Sequence, residues 1–259
     1  VGAIYGKEVK VPDLSHNESG EELNNSFSLK INTDNCKLFL ARKALNVTIK
    51  ESPDFIKNRL IALGIRPINN VVDISNYVMM EFGQPLHYYD ADSLNNSLEV
   101  KMASKGEKLV TLDGIERDLE ETDIVISDGK RPIGLAGVMG GLDTEIEETT
   151  KNVIIEAAIF DSVKVRKTSK KVVRSEASNR FEKGLDSNRT YMAIERACNM
   201  LEDIAQGNVM SGMIEYNTLS RDNKTIDITL DKINSILGYE LKAEEVKECF
   251  NKLHFEVKN

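Results

Sequence analysis

The chain is poor in residues that staple a fold or load it with metal. Its three cysteines, Cys36, Cys198 and Cys249, are far apart, odd in number and never in a CxxC pair, which argues against both a disulfide framework and a zinc site. The three histidines, His16, His87 and His254, are equally scattered and offer no metal cluster. No apolar run approaches the roughly 18 to 20 residues needed to cross a bilayer, and the N-terminal VGAIYGKEVKVPD lacks the basic, apolar and small-residue order of a signal peptide. A cytoplasmic location is the expectation. There is no GxSxG nucleophile elbow, no phosphate-binding loop and no dinucleotide fingerprint, so nothing supports ATP chemistry within this chain. No internal repeat, low-complexity tract or coiled-coil heptad is apparent. The net charge of −8 disfavours a general nucleic-acid binder, because such proteins gain affinity by neutralising phosphates.

What is present is a globular composition. At 259 residues, 41% of them hydrophobic, the chain can build one large domain, alone or with a smaller companion. Residues 1–27, polar around DLSHNESGEELNNS, read as a linker or the tail of an upstream domain. Apolar alternations at Leu29 and Ile31, Leu38 and Leu40, and Val47 and Ile49 predict strands. Ser52, Pro53 and Asp54 then open a helix that stops before Gly64. Residues 98–160 are strand-rich, with Asp113-Gly114 and Asp128-Gly129 as hairpin turns. From Arg189 to Gln206 an amphipathic helix carries Ile194, Ala197, Leu201 and Ile204 on one face and stops at Gly207. After a polar break the tail reads strand, helix, helix, strand. The fold class expected is α+β: a mostly antiparallel, strand-rich domain over residues 28–215 with flanking helices, followed by a partial helical module over 222–259.

The densest chemical signal is GIRPINNVVDISNYVMMEFGQPLHYYD, residues 64–90. Val71, Ile74, Val78 and Phe82 recur at helical spacing, and Gly83 stands where a left-handed residue closes a helix just before His87. Asn70, Asp73, Ser75, Asn76 and Tyr77 share that helix, although short polar side chains compete with the backbone and suit a helix interior poorly. Either Asn70 or Asp73 caps the helix and His87 satisfies a buried backbone group, or this polar set and His87 belong to a site. The glycines of GLAGVMGG (Gly134, Gly137, Gly140, Gly141) suit a wall where backbone approaches a ligand closely, and equally a tight strand corner. Glu156 stands in the apolar run VIIEAAIF, so its carboxylate is expected to be partly buried and to need a donor. A ligand hydroxyl, an arginine or a backbone N–H would serve. Between Lys164 and Arg174 lie six basic residues and no acid, a density suited to a phosphate backbone or to a solvated helix face. No aromatic residue interleaves the run, so base stacking is not suggested there.

Five ordered blocks, the segment above with GEKLVTLDGIER, PIGLAGVMGG, VIIEAAIF and SEASNRFEKGLD, resemble the editing domain of the bacterial phenylalanyl-tRNA synthetase β subunit. The resemblance implies a pocket that binds mischarged tyrosine and hydrolyses Tyr-tRNA(Phe), inside an α2β2 enzyme that uses ATP and magnesium in its α subunit, with no cofactor in this region. It implies catalytic roles for His87 and Asn76, with Ser75, Gly137, Gly140, Glu156, Ser175 and Ala177 around the substrate. Glu156 would recognise the para-hydroxyl of tyrosine. The implied partners are the α subunit, tRNA(Phe), for which Lys167, Lys170 and Lys171 are candidate contacts, and the tyrosine moiety. The tail resembles the start of a winged-helix-like module. Ser75 and Ser175 stand where the family often has threonine, and Tyr88-Tyr89 stands in place of its usual Ala-Phe, which bears on the pocket wall at Tyr88. The alternative is a non-catalytic module that binds tRNA or the α subunit.

Overall fold

The computed structural model describes residues 1–220 and 225–258. Two compact units divide them: Asp13–Leu219, and Val1–Pro12 grouped with the residues from Ser220 onward. The chain opens with α1 (Gly2–Tyr5), in the smaller unit. The larger unit continues through β1 (Glu18–Glu22), β2 (Ser28–Ile31), β3 (Cys36–Leu45), α2 (Asp54–Ala62), α3 (Asn70–Phe82), β4 (Leu86–Asp90) and β5 (Ser97–Met102). Next come β6 (Lys108–Val110), β7 (Glu116–Asp118), β8 (Ile124–Ser127), β9 (Pro132–Leu135), β10 (Met139–Gly140) and β11 (Val153–Phe160). It ends with α4 (Ser162–Lys171), α5 (Glu176–Phe181), α6 (Ser187–Ala205), β12 (Asn208–Ser211) and β13 (Ile214–Asn217). The smaller unit adds α7 (Leu230–Leu237) and α8 (Ala243–Lys252). The class is α+β, and every strand pair except β1·β12 and β2·β5 is antiparallel. No helix among the described residues is long and apolar enough to cross a membrane.

Three layers make the larger unit. The first sheet has the order β1-β12-β3-β11-β4, with β13 also on β3, and the second has the order β10-β9-β8-β5-β2. Strand β11 lies between β3 and β4 and is buried at all eight positions, which is why its sequence is a continuous apolar run rather than an alternation. Its parity sorts two cores. Ile154, Ala158 and Phe160 join Phe39 and Ala41 of β3 in the core shared with the second sheet, among Val100, Ile126 and Ile133. Ile155, Ala157 and Ile159 join Leu38 and Leu40 in the core under the helices, with Ile56, Val71, Ile74, Ile194 and Leu201. Position 156 shares the parity of 154 and 158, so the one carboxylate of β11 is directed between the two sheets.

Several local expectations change. Residues 18–22, read as part of a linker, form β1 and pair with β12, and Leu23 and Phe27 are buried. The strand escaped a pattern reading because all five of its side chains are exposed and its sequence carries no apolar alternation, although Glu18 pairs with Arg42 at 2.6 Å. The stretch 47–49 is not a strand. Helix α2 has Pro53 at its N-cap with no side-chain cap bond, and Ser52 Oγ instead donates to Asp73 Oδ2 at 2.6 Å. Helix α6 closes on Gln206, itself left-handed (φ 57°), one residue before Gly207. The turns at Asp113-Gly114 and Asp128-Gly129 connect β6 to β7 and β8 to β9, with positive φ at both glycines. In the smaller unit α7 and α8 form, and the expected strands before and after them do not form among the described residues; Lys224, the first residue of the expected leading strand, lies outside those residues.

Candidate functional site

Two polar residues of α3, Asn70 and Asp73, are fasteners. Asn69, one position earlier than expected, caps the helix by accepting from the Val72 N–H at 2.9 Å. Asn70 is buried and clasps an earlier loop, accepting from Lys50 N–H and donating to Thr48 O, both at 2.9 Å. Buried Asp73 accepts from Ser52 Oγ and from the Ile68 N–H at 2.8 Å. Ser75 donates back to the Val72 carbonyl at 2.7 Å. These bonds hold the approach to β4 in place, and β4 carries His87.

Strand β4 runs antiparallel to β11 with His87 opposite Glu156. Directly opposed residues point to the same face of a sheet, so imidazole and carboxylate are neighbours there. Two residues on, Tyr89 repeats the parity of His87. Its ring packs edge-on against the imidazole, centroids 4.4 Å apart, and its hydroxyl donates to Glu156 Oε2 at 2.5 Å. The donor required by Glu156 is therefore a tyrosine hydroxyl two residues past His87, neither an arginine nor a backbone N–H. Period-two spacing, the signal that could have found it, was present in the sequence. Tyr88, the residue expected to bear on the pocket wall, faces the opposite core, under the helices.

Burial pushes the Glu156 carboxyl up to about 7, opposed by the Tyr89 hydrogen bond, which favours the ionised form. Burial pushes His87 down to about 4. At neutral pH the imidazole is thus uncharged, and a weaker base than its ordinary value near 6.5 had suggested. A neutral ring has one donor and one acceptor nitrogen, and neither bonds to a protein group among the described residues.

The second sheet supplies the facing wall. Strands β9 and β10 pair with Gly140 opposite Gly134, and Gly137 sits in the intervening turn at φ +69°, where a side chain would be strained. A Cβ there would also lie 3.0 to 3.2 Å from Phe181 and Val165. A Cβ on Gly140 would meet His87 Cε1 and lie 2.6 Å from its Nε2. Both glycines therefore mark close approach at the wall. Helix α5 closes a third side with Ala177 and Phe181. Together these groups line a cavity of about 440 Å³, measured with its open mouth, along with Pro85, Leu86, Ile126 and residues 134–140. No serine, threonine, cysteine or lysine lines it, so the aliphatic hydroxyl, thiol and amine nucleophiles of covalent acyl transfer are missing from the lining. Among the described residues no group of three or more His, Cys, Asp or Glu side chains is gathered for a metal ion.

His87, Gly137, Gly140, Glu156 and Ala177 thus converge, whereas Ser75, Asn76 and Ser175 are not among the lining residues. Ser175 caps α5, accepting from the Ser178 N–H at 3.1 Å, and its hydroxyl reaches the Val138 carbonyl at 3.4 Å. It fastens the helix to the glycine turn. Asn76 is partly buried on α3. Of the basic run, Arg166, Lys167, Lys170 and Arg174 are exposed. Lys171 is engaged, 3.0 Å from buried Asp123 and 2.9 Å from Glu120, so it tethers α4.

Comparison with known proteins supplies the context of this cavity. The family described as the B3/4 domain matches residues 35–206. The phenylalanine–tRNA ligase β subunit of Staphylococcus saprophyticus is 45% identical over 98% of this chain and 32% of its own length. That of Streptococcus thermophilus is 42% identical, with 98% and 32% covered. The chain spans about a third of the length of these curated relatives. An N-terminal fragment of the phenylalanyl-tRNA synthetase β subunit from Pyrococcus horikoshii shares the fold, with a TM-score of 0.50 at 17% identity, covering 99% of this chain and 71% of that one. With more than half of its residues inside the family match, the chain belongs to the B3/4 domain family.

Proposed function

We propose that this chain is the editing region of a phenylalanine–tRNA ligase β subunit and that its cavity hydrolyses the tyrosyl ester of mischarged tRNA(Phe). The observation that carries the reading is the cross-strand pair of Glu156 and His87 beneath a glycine wall, a buried acceptor and a neutral imidazole facing one small cavity. The problem such a site answers is physical: a synthetic pocket shaped for phenylalanine rejects an isostere with one added hydroxyl only about a hundredfold. A second site that hydrogen-bonds the hydroxyl selects in the opposite sense, because phenylalanine would leave a buried acceptor short of a partner at roughly 1 to 3 kcal/mol.

In this reading water attacks the ester carbonyl carbon, the bond to the terminal ribose oxygen breaks, that oxygen takes a proton, and tyrosine departs. His87, neutral at pH 7, orients the water or the ester through its free nitrogens, and the terminal ribose hydroxyl of the tRNA assists the proton transfer. Ser175 acts from the α5 cap by holding the glycine turn through the Val138 carbonyl, and Asn76 of α3, which the resemblance pairs with His87 in positioning the water, is the residue whose variant tests that role. The cavity lining has one carboxylate and no cationic side chain, so it does not fit a magnesium nucleotide; ATP and magnesium belong to the α subunit of the proposed α2β2 enzyme, in the cytoplasm. The test is calorimetry of L-tyrosine and L-phenylalanine on this chain, with Glu156→Ala as the control. Preference for tyrosine that disappears in the variant is expected. Equal or absent binding of both amino acids would move the chain to the reading of a non-catalytic module.

The exposed face of α4 is proposed as the tRNA contact. Lys167→Ala with Lys170→Ala should weaken tRNA affinity and flatten its salt dependence by roughly 0.7 to 0.9 in slope per lost phosphate contact. Lys171→Ala should instead lower the melting temperature, because it leaves buried Asp123 without its cation. Unchanged tRNA affinity in the double variant would return this face to a solvated surface.

A further inference from the structure

The group that satisfies Glu156 is itself a phenol. What a tyrosine ligand would bring to that carboxylate, an aromatic ring with a para-hydroxyl, the chain already delivers from β4. We propose that Tyr89 is a specificity-determining residue of the cavity, an internal phenol that occupies one oxygen of Glu156 and so sets how sharply tyrosine is separated from phenylalanine. The inference rests on the reading of the cavity as a tyrosyl-ester site.

Geometry makes the two phenols share rather than exchange. Tyr89 is 1% exposed, lies within the core between the sheets, and has His87 against its ring, so a ligand cannot readily displace it. Glu156 is 5% exposed and lines the cavity; its Oε2 accepts from Tyr89, while Oε1 makes no hydrogen bond within the described residues. One oxygen therefore remains for a ligand. Strong rejection of a ligand that lacks a hydroxyl comes from leaving a buried polar group unpaired. Here phenylalanine would leave Glu156 still bonded to Tyr89, so the penalty is incomplete. With phenylalanine at position 89, the same ligand would strip Glu156 of its last donor. The direction holds for the acid and for the carboxylate, since both are polar groups that a phenol can satisfy and a bare ring cannot.

Tyr89→Phe in this 259-residue chain, tested by calorimetry with L-tyrosine and L-phenylalanine, should raise the affinity ratio of tyrosine to phenylalanine by roughly five- to tenfold, chiefly by weakening phenylalanine. The ring that packs on His87 is retained, and a single cooperative thermal transition, at a midpoint lowered by the lost hydrogen bond, checks the fold. In a Glu156→Ala background the same substitution should leave the ratio unchanged, a coupling that a purely structural role for Tyr89 would not produce. If the unaltered chain prefers tyrosine and Tyr89→Phe leaves the ratio equal or lower, the inference fails and the proposed function stands. If the unaltered chain shows no preference and Glu156→Ala changes nothing, both fail together.

Discussion

Glu156→Gln is expected to gain stability on the unaltered chain as pH rises, by about 3 kcal/mol between pH 4.5 and 8. The carboxyl moves from an ordinary 4.5 to about 7 in the folded protein because burial disfavours its charge. A group whose folded value is raised adds stability that is complete below 4.5 and lost as pH passes 7, since over that window the native state holds a proton that the unfolded state has released. Glutamine is neutral throughout and keeps a carbonyl oxygen for the Tyr89 hydroxyl, so it escapes the loss. His87 works in the opposite sense. Its value falls from 6.5 to about 4, so its contribution is present above 6.5 and lost as pH falls through 4. The two neighbours therefore have opposing slopes between about 4.5 and 6.5, and the glutamine variant should reveal the rise due to His87 alone. Urea unfolding of both proteins at pH 4.5, 6 and 8 measures this. A stability difference independent of pH would mean that Glu156 is not held in a charge-disfavouring site.

Gly140→Ala should reduce the proposed hydrolysis of Tyr-tRNA(Phe) by about a hundredfold while the protein stays folded. The added methyl would overlap the His87 ring, which is hemmed on another side by Tyr89. The imidazole can yield only by swinging into the cavity, and a displacement on the order of 1 Å at a reacting group costs about that factor. The neighbouring Gly141→Ala is the contrast. Its methyl would lie 2.7 Å from the Ile133 carbonyl oxygen, a backbone atom that already accepts from Gly141 N–H at 2.7 Å. Backbone paired on both sides cannot give way, so this variant should lose stability. Single-turnover deacylation and thermal melting of both variants separate the effects. Undiminished hydrolysis in a folded Gly140→Ala protein would remove His87 from the mechanism.

How far the site was legible depended on the reach of each signal. Gly83 closing α3 in a left-handed conformation and the glycine turns at 114 and 129 are local events, decided by residues a few positions apart. The buried character of Glu156 was legible for the same reason, because a charge within an apolar run must be enclosed by whatever surrounds the run. Period two put Tyr89 on the face of His87, but not against Glu156. Tyr89 becomes the donor only once β4 lies beside β11 in register, a pairing between segments about 67 positions apart. Asn70 and Asp73 of α3 looked like site chemistry and are clasps on residues 48–52 and 68. Lys171 looked free and is tied to Asp123, 48 positions upstream.

Sequence by itself therefore determined the α+β class and the main helices and hairpins, since periodicity and turn residues act locally and the ordered blocks are long. Tertiary structure alone decided which of the groups able to do chemistry meet. Strand order turned His87, Tyr89 and Glu156 to one face and brought the glycine wall against them, while it sent Tyr88 to the other core and gave Ser175 to a helix cap. The reason is that side-chain partnership across a sheet depends on register and parity between distant segments, and these are settled by burying both faces of β11 at once.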